Sequence, residues 1–486
     1  MTQQTTRPQD RPSGAARGAQ PADGRPVALI ILGASGDLTS RLLLPGLARA
    51  LAAEDLPQVT LVGASPDALD DDQWRERVRA SIADVALDDA TRAGLVERAV
   101  WRTTDATDAD ELRALLQRAA EAVGPDAMPV LYFAVPPKVA ALACAALEGI
   151  ADRPESLRLA LEKPFGVDEE SARELNALLT RIVPEDHVFR VDHFLGESMV
   201  TALLGLRTAN RLLESVWSAE DVERVDIVAD ETIALEGRAG YYDTAGALRD
   251  MIQSHLLQVM AMAALEPPAR IAADDLRDAV IDVLRATRVR GGDPVTASRR
   301  ARYTAGSVAG RPIPDYAAEQ GVDPARNTET LAEVELEIDT PRWAGVPFRL
   351  RSGKALGARR WEVTLTLRPP KATPLGLHTE DGRDTFVVGL EPRYVRLDLS
   401  VDTPDTPFHT VDEQLGVHLG EERVDAYGEV LRGIVLGDPL LAVRGDAAEE
   451  CWRIVEPVLQ AWAEDEVPLD EYAAGSSGPE GWASSR

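Results

Sequence analysis

A short apolar strand that runs directly into a glycine turn is the feature that most restricts the fold of this chain. Residues 27–32 read Val-Ala-Leu-Ile-Ile-Leu, residues 33–38 read Gly-Ala-Ser-Gly-Asp-Leu, and a helical pattern continues to Leu51. Glycines at such a turn let the backbone approach a pyrophosphate, whose charge meets the unpaired N–H groups of the helix. A Gly-x-x-Gly turn is equally typical of a simple strand–helix connection, so this segment alone has two interpretations.

Strands and helices continue to alternate after this turn. The predicted strands cover residues 59–62, 129–135 and 157–161, and the predicted helices cover residues 73–82 and 108–123. This alternation predicts a Rossmann-type α/β domain, in which helices cover both faces of a doubly wound parallel sheet. Ligands of such sheets bind beyond the carboxyl ends of the strands, where the glycine turn, Pro136 and Lys163 all fall.

The pattern changes in the second half of the chain. The predicted strands cover residues 222–229, 332–338, 347–351, 361–367, 385–390 and 394–401, and the predicted helices cover residues 411–433 and 446–464. Several of these strands alternate polar and apolar residues, as half-exposed antiparallel strands do. An α+β domain with a large, mainly antiparallel sheet is therefore predicted to follow the first domain.

The sequence thus predicts two domains between two disordered tails. The dinucleotide-binding domain covers residues 26–197 and the α+β domain covers residues 198–474. The tails are residues 1–25, rich in Gln, Pro, Arg and Gly, and residues 475–486, rich in Ser and Gly. The boundary places Asp192 and His193 between the domains, where binding sites commonly form.

Composition argues against several classes of protein. The formal net charge of −29 argues against a nucleic-acid partner, because phosphate backbones are bound by Lys and Arg clusters. No apolar run approaches the length of a membrane span, and the N-terminus lacks the apolar core of a signal peptide, which predicts a cytoplasmic protein. Cys144 and Cys451 are the only cysteines, and neither has a His at ligand spacing, so no metal site is predicted.

A largely buried helix that carries charged residues is predicted from Ala245 to Leu265. Apolar residues recur at helical spacing along it, yet Asp250 and His255 lie inside the same pattern. Burying a charged side chain costs on the order of several kcal/mol unless a partner compensates. For a lone His, a core imidazole bonded to a carbonyl is the more common arrangement, and a catalytic base is the alternative.

Five motifs, in order along the chain, decide between these alternatives. They are Gly-Ala-Ser-Gly-Asp-Leu at 33–38, Glu-Lys-Pro-Phe-Gly at 162–166, Arg-Val-Asp-His-Phe-Leu-Gly at 190–196, the segment 238–255 and Leu-Arg-Ser-Gly-Lys-Ala-Leu at 350–356. In identity, order and spacing they resemble the motifs of the glucose-6-phosphate dehydrogenase family over nearly all of the ordered length.

The resemblance implies a fold, an activity and a site. It implies a sugar 1-dehydrogenase of the pentose phosphate pathway that transfers hydride from C1 of glucose 6-phosphate to NADP or NAD and gives a lactone. His255 is then the general base and Asp192 orients it. The implied substrate-binding residues are Lys163, His193, Glu197, Glu231, Arg238, Asp250, Lys354 and Arg359. The implied cofactor-binding residues are Gly33, Ala34, Ser35, Gly36, Asp37, Leu38 and Lys163. Asp67 and Pro136 are predicted to bind the cofactor as well, because each follows a strand of the sheet. A homodimer or homotetramer that associates through the α+β domain is also implied.

Three departures from the family pattern concern the sugar. The family usually has Tyr and Lys where this chain has Phe194 and Glu197, and a family glutamine is replaced by Glu391. The Tyr hydroxyl and the Lys ammonium both help to bind the 6-phosphate, so Glu197 exchanges an attractive charge for a repulsive one. The alternative substrate is therefore an unphosphorylated or amino sugar.

The segment after the second strand, which would bind the cofactor, also departs from the family pattern. NADP-using members carry an Arg after the second strand, where this chain has Ser65-Pro66-Asp67. Asp67 is suited to accept hydrogen bonds from ribose hydroxyls, so NAD becomes at least as plausible a cofactor as NADP.

A catalytically lapsed scaffold protein is the alternative to an enzyme. Because a scaffold has no need of a base with its orienting acid, the joint presence of His255 and Asp192 favours the enzyme.

Overall fold

A computed structural model describes residues 24–54, 56–237, 239–379, 383–403, 406–420 and 422–482. Apart from residues 24 and 25, the predicted tail 1–25 lies outside the described residues. No helix within the described ranges has both the length and the apolar character that crossing a membrane requires.

The first sheet is six-stranded and entirely parallel, which confirms the predicted doubly wound architecture. Its strands are β1 (Val27–Leu32), β2 (Val59–Ser65), β3 (Val100–Thr103), β4 (Met128–Phe133), β5 (Arg158–Glu162) and β6 (Val188–Val191), in the order β3-β2-β1-β4-β5-β6. Its helices are α1 (Leu44–Ala53), α2 (Asp71–Ser81), α3 (Asp89–Glu97), α4 (Ala109–Val123), α5 (Pro137–Glu148) and α6 (Glu169–Ile182). Every residue of β1 is buried, as expected for a central strand covered on both faces.

Two strands of this sheet, β3 and β6, are absent from the prediction because they are short and interrupted by polar residues. Arg190 lies in the middle of β6 with its side chain completely buried. Its guanidinium pairs with Glu185 and donates a hydrogen bond to the amide oxygen of Asn176 at 2.9 Å. Because these partners offset the cost of burying Arg190, a charged residue can lie inside a core strand, and an apolar pattern alone does not identify that strand.

The second half forms a large mixed, mostly antiparallel sheet, as predicted. Its strands are β7 (Val222–Asp230), β8 (Thr287–Val289), β9 (Ser298–Thr304), β12 (Leu331–Ile338), β13 (Pro347–Gly353), β14 (Arg360–Leu367), β15 (Thr385–Glu391), β16 (Tyr394–Thr403), β17 (Thr406–His418) and β18 (Leu469–Ala473). A separate pair comprises β10 (Gly306–Val308) and β11 (Arg311–Ile313). The helices are α7 (Ser198–Ala209), α8 (Arg211–Val216), α9 (Ala239–Ala247), α10 (Leu257–Ala264), α11 (Ala273–Ala286), α12 (Ala426–Leu436) and α13 (Gly445–Ala463).

Two predicted helices differ from the observed elements. The first part of the predicted helix 411–433 is strand β17, whose backbone pairs with β16, and α12 begins only after the N-cap Asp425. The predicted helix 245–265 is interrupted, because residues Leu248–Leu256 form a π-helical segment between α9 and α10. The predicted helix 446–464 is confirmed as α13.

The C-terminal part of the chain returns to the first domain. Val430, Leu431, Ile434 and Val435 of α12 belong to the same apolar core as the β1 residue Leu29. A helix from the predicted second domain therefore completes the core of the first.

Residues 475–482, predicted to be part of a disordered tail, are instead held by the α+β domain. The backbone N–H of Gly475 donates to the carbonyl of Ala355 at 2.8 Å, and the indole N–H of Trp482 donates to Asp470 at 2.9 Å. The prediction failed here because Ser- and Gly-rich composition does not reveal contacts with distant residues.

Candidate active site

Two parallel strands deliver two of the predicted site residues to one edge of the first sheet. Lys163 directly follows β5 and Asp192 directly follows β6, and these strands are neighbours. The Lys163 ammonium crosses to the π-helical segment, where it donates to the carbonyl oxygen of Asp250 at 2.7 Å and to its carboxylate at 2.9 Å. The sheet edge and the buried helical segment are thus joined by one ion pair.

His255 and Asp192 form a buried hydrogen-bonded pair between Nδ1 and Oδ1, with each side chain 1% exposed. The same Oδ1 accepts the backbone N–H of Phe194 at 3.0 Å, which fixes the carboxylate at the start of a short 3₁₀ turn. A carboxylate at Nδ1 requires that nitrogen to carry the proton, so the lone pair of the imidazole lies on Nε2. This is the arrangement that a general base needs.

The π-helical segment explains why Asp250 and His255 lie at one candidate site. In an α-helix, residues five apart point in different directions, whereas a π-helix bonds each N–H to the carbonyl five residues earlier. Residue 257 follows this pattern, since its N–H donates to the carbonyl of Ile252. Asp250 and His255 consequently lie on the same side of the segment. The carbonyl of Asp250 also accepts the Ser254 hydroxyl at 2.7 Å and the Lys163 ammonium at 2.7 Å.

Aromatic rings enclose the two histidines. Phe194 stacks on His255 with ring centroids 4.2 Å apart, and His193 meets His255 edge-on at 4.8 Å. Tyr427, at the start of α12, stacks on His193 at 5.3 Å. Nothing in the sequence links Tyr427 to the site, because it lies far along the chain and outside every motif.

Burial sets the protonation states of this group. It raises the pKa of Asp192 to about 6, which leaves the carboxyl ionised at neutral pH. Burial, supported by the nearby Lys163 ammonium, lowers the pKa of His255 well below its usual value. Burial and the proximity of His255 also lower the pKa of His193 to about 3. Both imidazoles are therefore neutral at pH 7, and His255 is free to accept a proton.

The same three residues are the one group of His, Cys, Asp and Glu side chains in the described ranges with metal-ligand spacing. One potential ligand atom from each of Asp192, His193 and His255 lies within 4.8 Å of the others. Because the Asp192–His255 hydrogen bond already accounts for two of them, we assign no metal.

Burial alone would raise the pKa of Asp250, but Lys163, with smaller contributions from His255 and Lys354, holds it below its usual value. Asp250 is therefore an acceptor only, suited to the hydroxyl groups of a sugar. Lys354 pairs with Glu231 and lies 5.1 Å from the centroid of Tyr242. The predicted residue Arg238 lies outside the described residues.

Arg359 is occupied by another side chain. Its guanidinium pairs with Glu391 and lies 4.5 Å over the ring of Trp361, which in turn contacts Phe194 with centroids 5.2 Å apart. Sequence reasoning identified Arg359 but missed Trp361, whose place beside Phe194 depends on the pairing of β14 with distant strands.

Glu197 lies in an acidic environment. Burial, together with the nearby carboxylates of Glu422, Glu391 and Asp425 and against the opposing charge of Arg393, raises the pKa of Glu197 to about 7. Arg393 is itself bonded to Glu422 at 3.1 Å. The other two acids are also paired, Glu391 with Arg359 and Asp425 with Arg49, so the neighbouring carboxylates already engage these arginines.

The glycine turn is shaped for a close approach of the backbone. Gly33 has φ of 81°, and a Cβ at that position would lie 2.2 Å from the carbonyl oxygen of Ala134. Pro136 directly precedes α5 at the same edge of the sheet. Beyond the turn, the hydroxyl of Ser35 donates to that of Ser65 at 3.1 Å, next to the exposed Asp67. These features fit a dinucleotide, with the pyrophosphate at the turn and the adenosine ribose near Asp67.

Comparison with known proteins agrees with this geometry. A family model for the glucose-6-phosphate dehydrogenase NAD binding domain matches residues 30–202, and one for the glucose-6-phosphate dehydrogenase C-terminal domain matches residues 204–484. The chain belongs to the glucose-6-phosphate dehydrogenase family. It is 38% identical to the glucose-6-phosphate 1-dehydrogenase of Gluconobacter oxydans, over 94% of this chain and 95% of that protein. It is 34% identical to the glucose-6-phosphate 1-dehydrogenase of Treponema pallidum, over 93% of this chain and 92% of that protein.

Solved structures of this family share the fold. The glucose-6-phosphate 1-dehydrogenase of Mycobacterium avium superimposes with a TM-score of 0.80 at 35% identity, covering 95% of each chain. A glucose-6-phosphate dehydrogenase in complex with its substrate glucose 6-phosphate superimposes with a TM-score of 0.84 at 27% identity, covering 95% of this chain and 97% of that chain.

Proposed function

We propose that this protein is a glucose-6-phosphate 1-dehydrogenase, an oxidoreductase that converts the C1 hydroxyl of the sugar to a lactone. The observation that carries the proposal is the buried Asp192–His255 pair, placed beside Lys163 and Asp250 at the carboxyl edge of a dinucleotide-binding sheet. A scaffold protein would gain nothing from burying a neutral base with its orienting acid.

The protein residues account for the proton in this reaction. His255 accepts the C1 hydroxyl proton at Nε2, while Asp192 holds the proton on Nδ1 and stabilises the imidazolium that forms. The ammonium of Lys163 favours the negative charge that develops on the sugar oxygen. A bound nicotinamide supplies the hydride acceptor, and the glycine turn would hold its pyrophosphate.

An absorbance assay of the reduced cofactor tests the proposal. We expect turnover with glucose 6-phosphate, and a kcat about 10²- to 10⁴-fold lower in the His255→Ala variant. The same assay is run with glucose, glucosamine and glucosamine 6-phosphate as substrates, each with NAD and with NADP. If no sugar is oxidised with either cofactor, the dehydrogenase proposal is wrong and the lapsed scaffold is favoured.

For the cofactor we propose that NAD is preferred over NADP. Pro66 offers no donor to a phosphate, and the exposed carboxylate of Asp67 suits the ribose hydroxyls. Pro66→Arg should shift the ratio of kcat/KM towards NADP through a charge-assisted contact. A native enzyme that strongly prefers NADP would contradict this proposal.

The environment of Glu197 supports a second candidate, a dehydrogenase of unphosphorylated or amino sugars. Arg359, Arg393 and Arg49 are engaged by Glu391, Glu422 and Asp425. The carboxylate of Glu197, when ionised, would repel a phosphate dianion. At a separation of about 4 Å and an effective dielectric constant near 20, each unit charge is worth up to about 4 kcal/mol before screening.

Charge reversal at this position distinguishes the two substrates. If the acidic environment rejects phosphate, glucose 6-phosphate turnover is weak in the native protein, and Glu197→Lys with Phe194→Tyr increases its kcat/KM. Glu464→Lys is the control, since it reverses an exposed carboxylate at the end of α13. A micromolar KM for glucose 6-phosphate in the native protein, with no gain in the double variant, would exclude the second candidate.

We further propose a homodimer or homotetramer that associates through the large sheet. Strand β17 lies at one edge of that sheet with exposed apolar side chains. The cytoplasmic location and the lack of a nucleic-acid partner stay predictions from the sequence.

A further inference from the structure

Three side chains link the first two turns of the nucleotide domain. Ser65, the last residue of β2, accepts the hydroxyl of Ser35 at 3.1 Å and the backbone N–H of Asp67 at 3.1 Å. Its own hydroxyl lies 3.3 Å from the Asp67 carboxylate. In this fold the glycine turn receives the pyrophosphate and the end of the second strand receives the adenosine ribose. Ser35 therefore lies between the two subsites.

An arginine from the next helix reaches the same place. Arg77 lies on the exposed side of α2, and its Nη1 donates to the backbone carbonyl of Ser35 at 3.0 Å. Through Ser35 and Ser65, the guanidinium is linked by two hydrogen bonds to the residue that precedes Pro66. This connection leads from Arg77 to the end of β2, where the chain has Pro66 in place of the family arginine.

Arg77 differs in its ion pairing from the neighbouring arginines of α2. Arg75 pairs with Asp72 and Arg79 pairs with Glu76, whereas Arg77 forms no ion pair with any residue in the described ranges. A guanidinium has five N–H donors in a planar fork that matches a phosphate. One backbone carbonyl engages a single donor of Arg77, which leaves the others available to a ligand.

We propose that Arg77 binds the 2′-phosphate of NADP and allows this chain to use NADP alongside NAD. It does so from the second helix, in place of the missing arginine after the second strand. Asp67 favours the ribose hydroxyls of NAD, and Arg77 offsets its repulsion of the additional phosphate. The inference rests on the proposed function only for the identity of the cofactor, because it concerns binding and not turnover.

Calorimetric titration of the full-length protein with NADP and with NAD, without sugar, tests the proposal. Losing a charge-assisted contact costs about 10- to 100-fold in affinity, so Arg77→Ala should raise the Kd for NADP by that factor. The Kd for NAD should change less than about twofold, because NAD lacks the group that Arg77 contacts. Arg77→Lys keeps the charge but not the fork and should lie between Arg77→Ala and the native protein.

Two controls make the result specific. Arg79→Ala removes an exposed arginine of the same helix and should leave both Kd values unchanged. Arg41→Ala removes an exposed arginine in the helical segment that follows the glycine turn. An equal loss of NAD and NADP affinity in Arg77→Ala, or a native Kd for NADP no lower than that of the variant, would overturn the proposal. So would a selective loss of NADP affinity in Arg41→Ala with Arg77→Ala unaffected. Because binding is measured without sugar, failure of the dehydrogenase proposal would appear separately, as absent turnover with intact NADP binding.

Discussion

At the residue scale, the properties of His255 depend on one acid and on burial. Outside the protein, an imidazole is partly protonated near neutral pH and changes its tautomer freely. Here burial keeps the ring neutral, and the Asp192 carboxylate fixes the proton on Nδ1. The cost of burying the carboxylate is reduced by the N–H of Phe194, which donates to it at 3.0 Å.

Removal of His255 should slow the chemical step strongly and leave cofactor binding intact. We expect His255→Ala or His255→Asn to lower kcat by about 10²- to 10⁴-fold, the usual contribution of a general base. Asp192→Asn should be less severe, since the imidazole remains. Steady-state kinetics and NAD titration measure the two effects. His409→Ala, which removes an exposed imidazole on β17, is the control. Unaltered turnover in His255→Ala would exclude the mechanism.

Asp192 should give activity and stability opposite dependences on pH. Its folded-state pKa of about 6 lies above the ordinary value of 3.8, so between these values the folded state binds more protons than the unfolded state. Lowering the pH through about 6 therefore relieves the cost of the buried charge, while kcat/KM falls as the orienting carboxylate is lost.

The Asp192→Asn variant separates the contribution of Asp192 to the pH dependence of stability from the contributions of the other acids. The difference in unfolding free energy between this variant and the native protein, measured by urea titration, should favour the variant at pH 8 and shrink below about pH 6. A difference that is independent of pH would contradict the raised pKa.

At the scale of elements, the π-helical segment depends on how it begins. Gly246 precedes it with φ of 68° and ψ of 174°, a conformation that is essentially confined to glycine. The carboxylate of the buried Glu329 then accepts the backbone N–H of Leu248 at 2.9 Å. A Cβ at Gly246 would lie 2.3 Å from that carboxylate. The glycine and the acid together fix the start of the segment that carries Asp250 and His255.

Gly246→Ala should therefore be strongly destabilising and nearly inactive. Backbone strain and displacement of Glu329 together should lower the unfolding free energy by about 2–4 kcal/mol. Chemical denaturation and kcat provide the two measurements. Gly240→Ala in α9 is the matched control, because a Cβ there meets no atom within 4 Å. Equal stabilities of the two variants would show that the conformation of Gly246 is not required.

At the scale of the whole molecule, chain order and spatial order differ. Helix α12 packs in the core of the first domain and places Tyr427 against His193, so the active site includes a late segment of the chain. Strand β17 lies at the edge of the second sheet. Val411, Leu415 and Val417 occupy odd-numbered positions along one side of it and are 36–62% exposed, and Leu419, which directly follows the strand, is 44% exposed. An exposed apolar edge of this kind is typical of an association surface.

This face should hold two copies of the chain together. We expect sedimentation analysis to give a dimer or tetramer for the native protein, and Leu415→Glu with Val417→Glu to shift it towards the monomer. The added charges would be desolvated in an interface, which is costly without partners. Gln414→Glu, on the opposite side of β17, is the control. A native protein that is monomeric at micromolar concentration would contradict this prediction.

The sequence by itself determined the parallel sheet, the mainly antiparallel second sheet and the family. The first two depend on local patterns of apolar residues, and the family depends on five motifs that remain recognisable without coordinates. Lys163, Asp192 and His255 could be identified from these motifs. The strand β17 and the contacts of residues 475–482 could not, because their polar or small residues acquire structure only from neighbours distant in sequence.

The tertiary structure decided how the identified residues act. The change from α- to π-helical hydrogen bonding brings Asp250 and His255 to one side, and it depends on Glu329 and Lys163, which lie in other parts of the chain. Likewise, the charge on Glu197 is visible in the sequence, but the carboxylates that surround it are assembled by folding. Burial, pKa and electrostatic repulsion are set by distances between residues that are remote in the chain, and a linear sequence does not contain those distances.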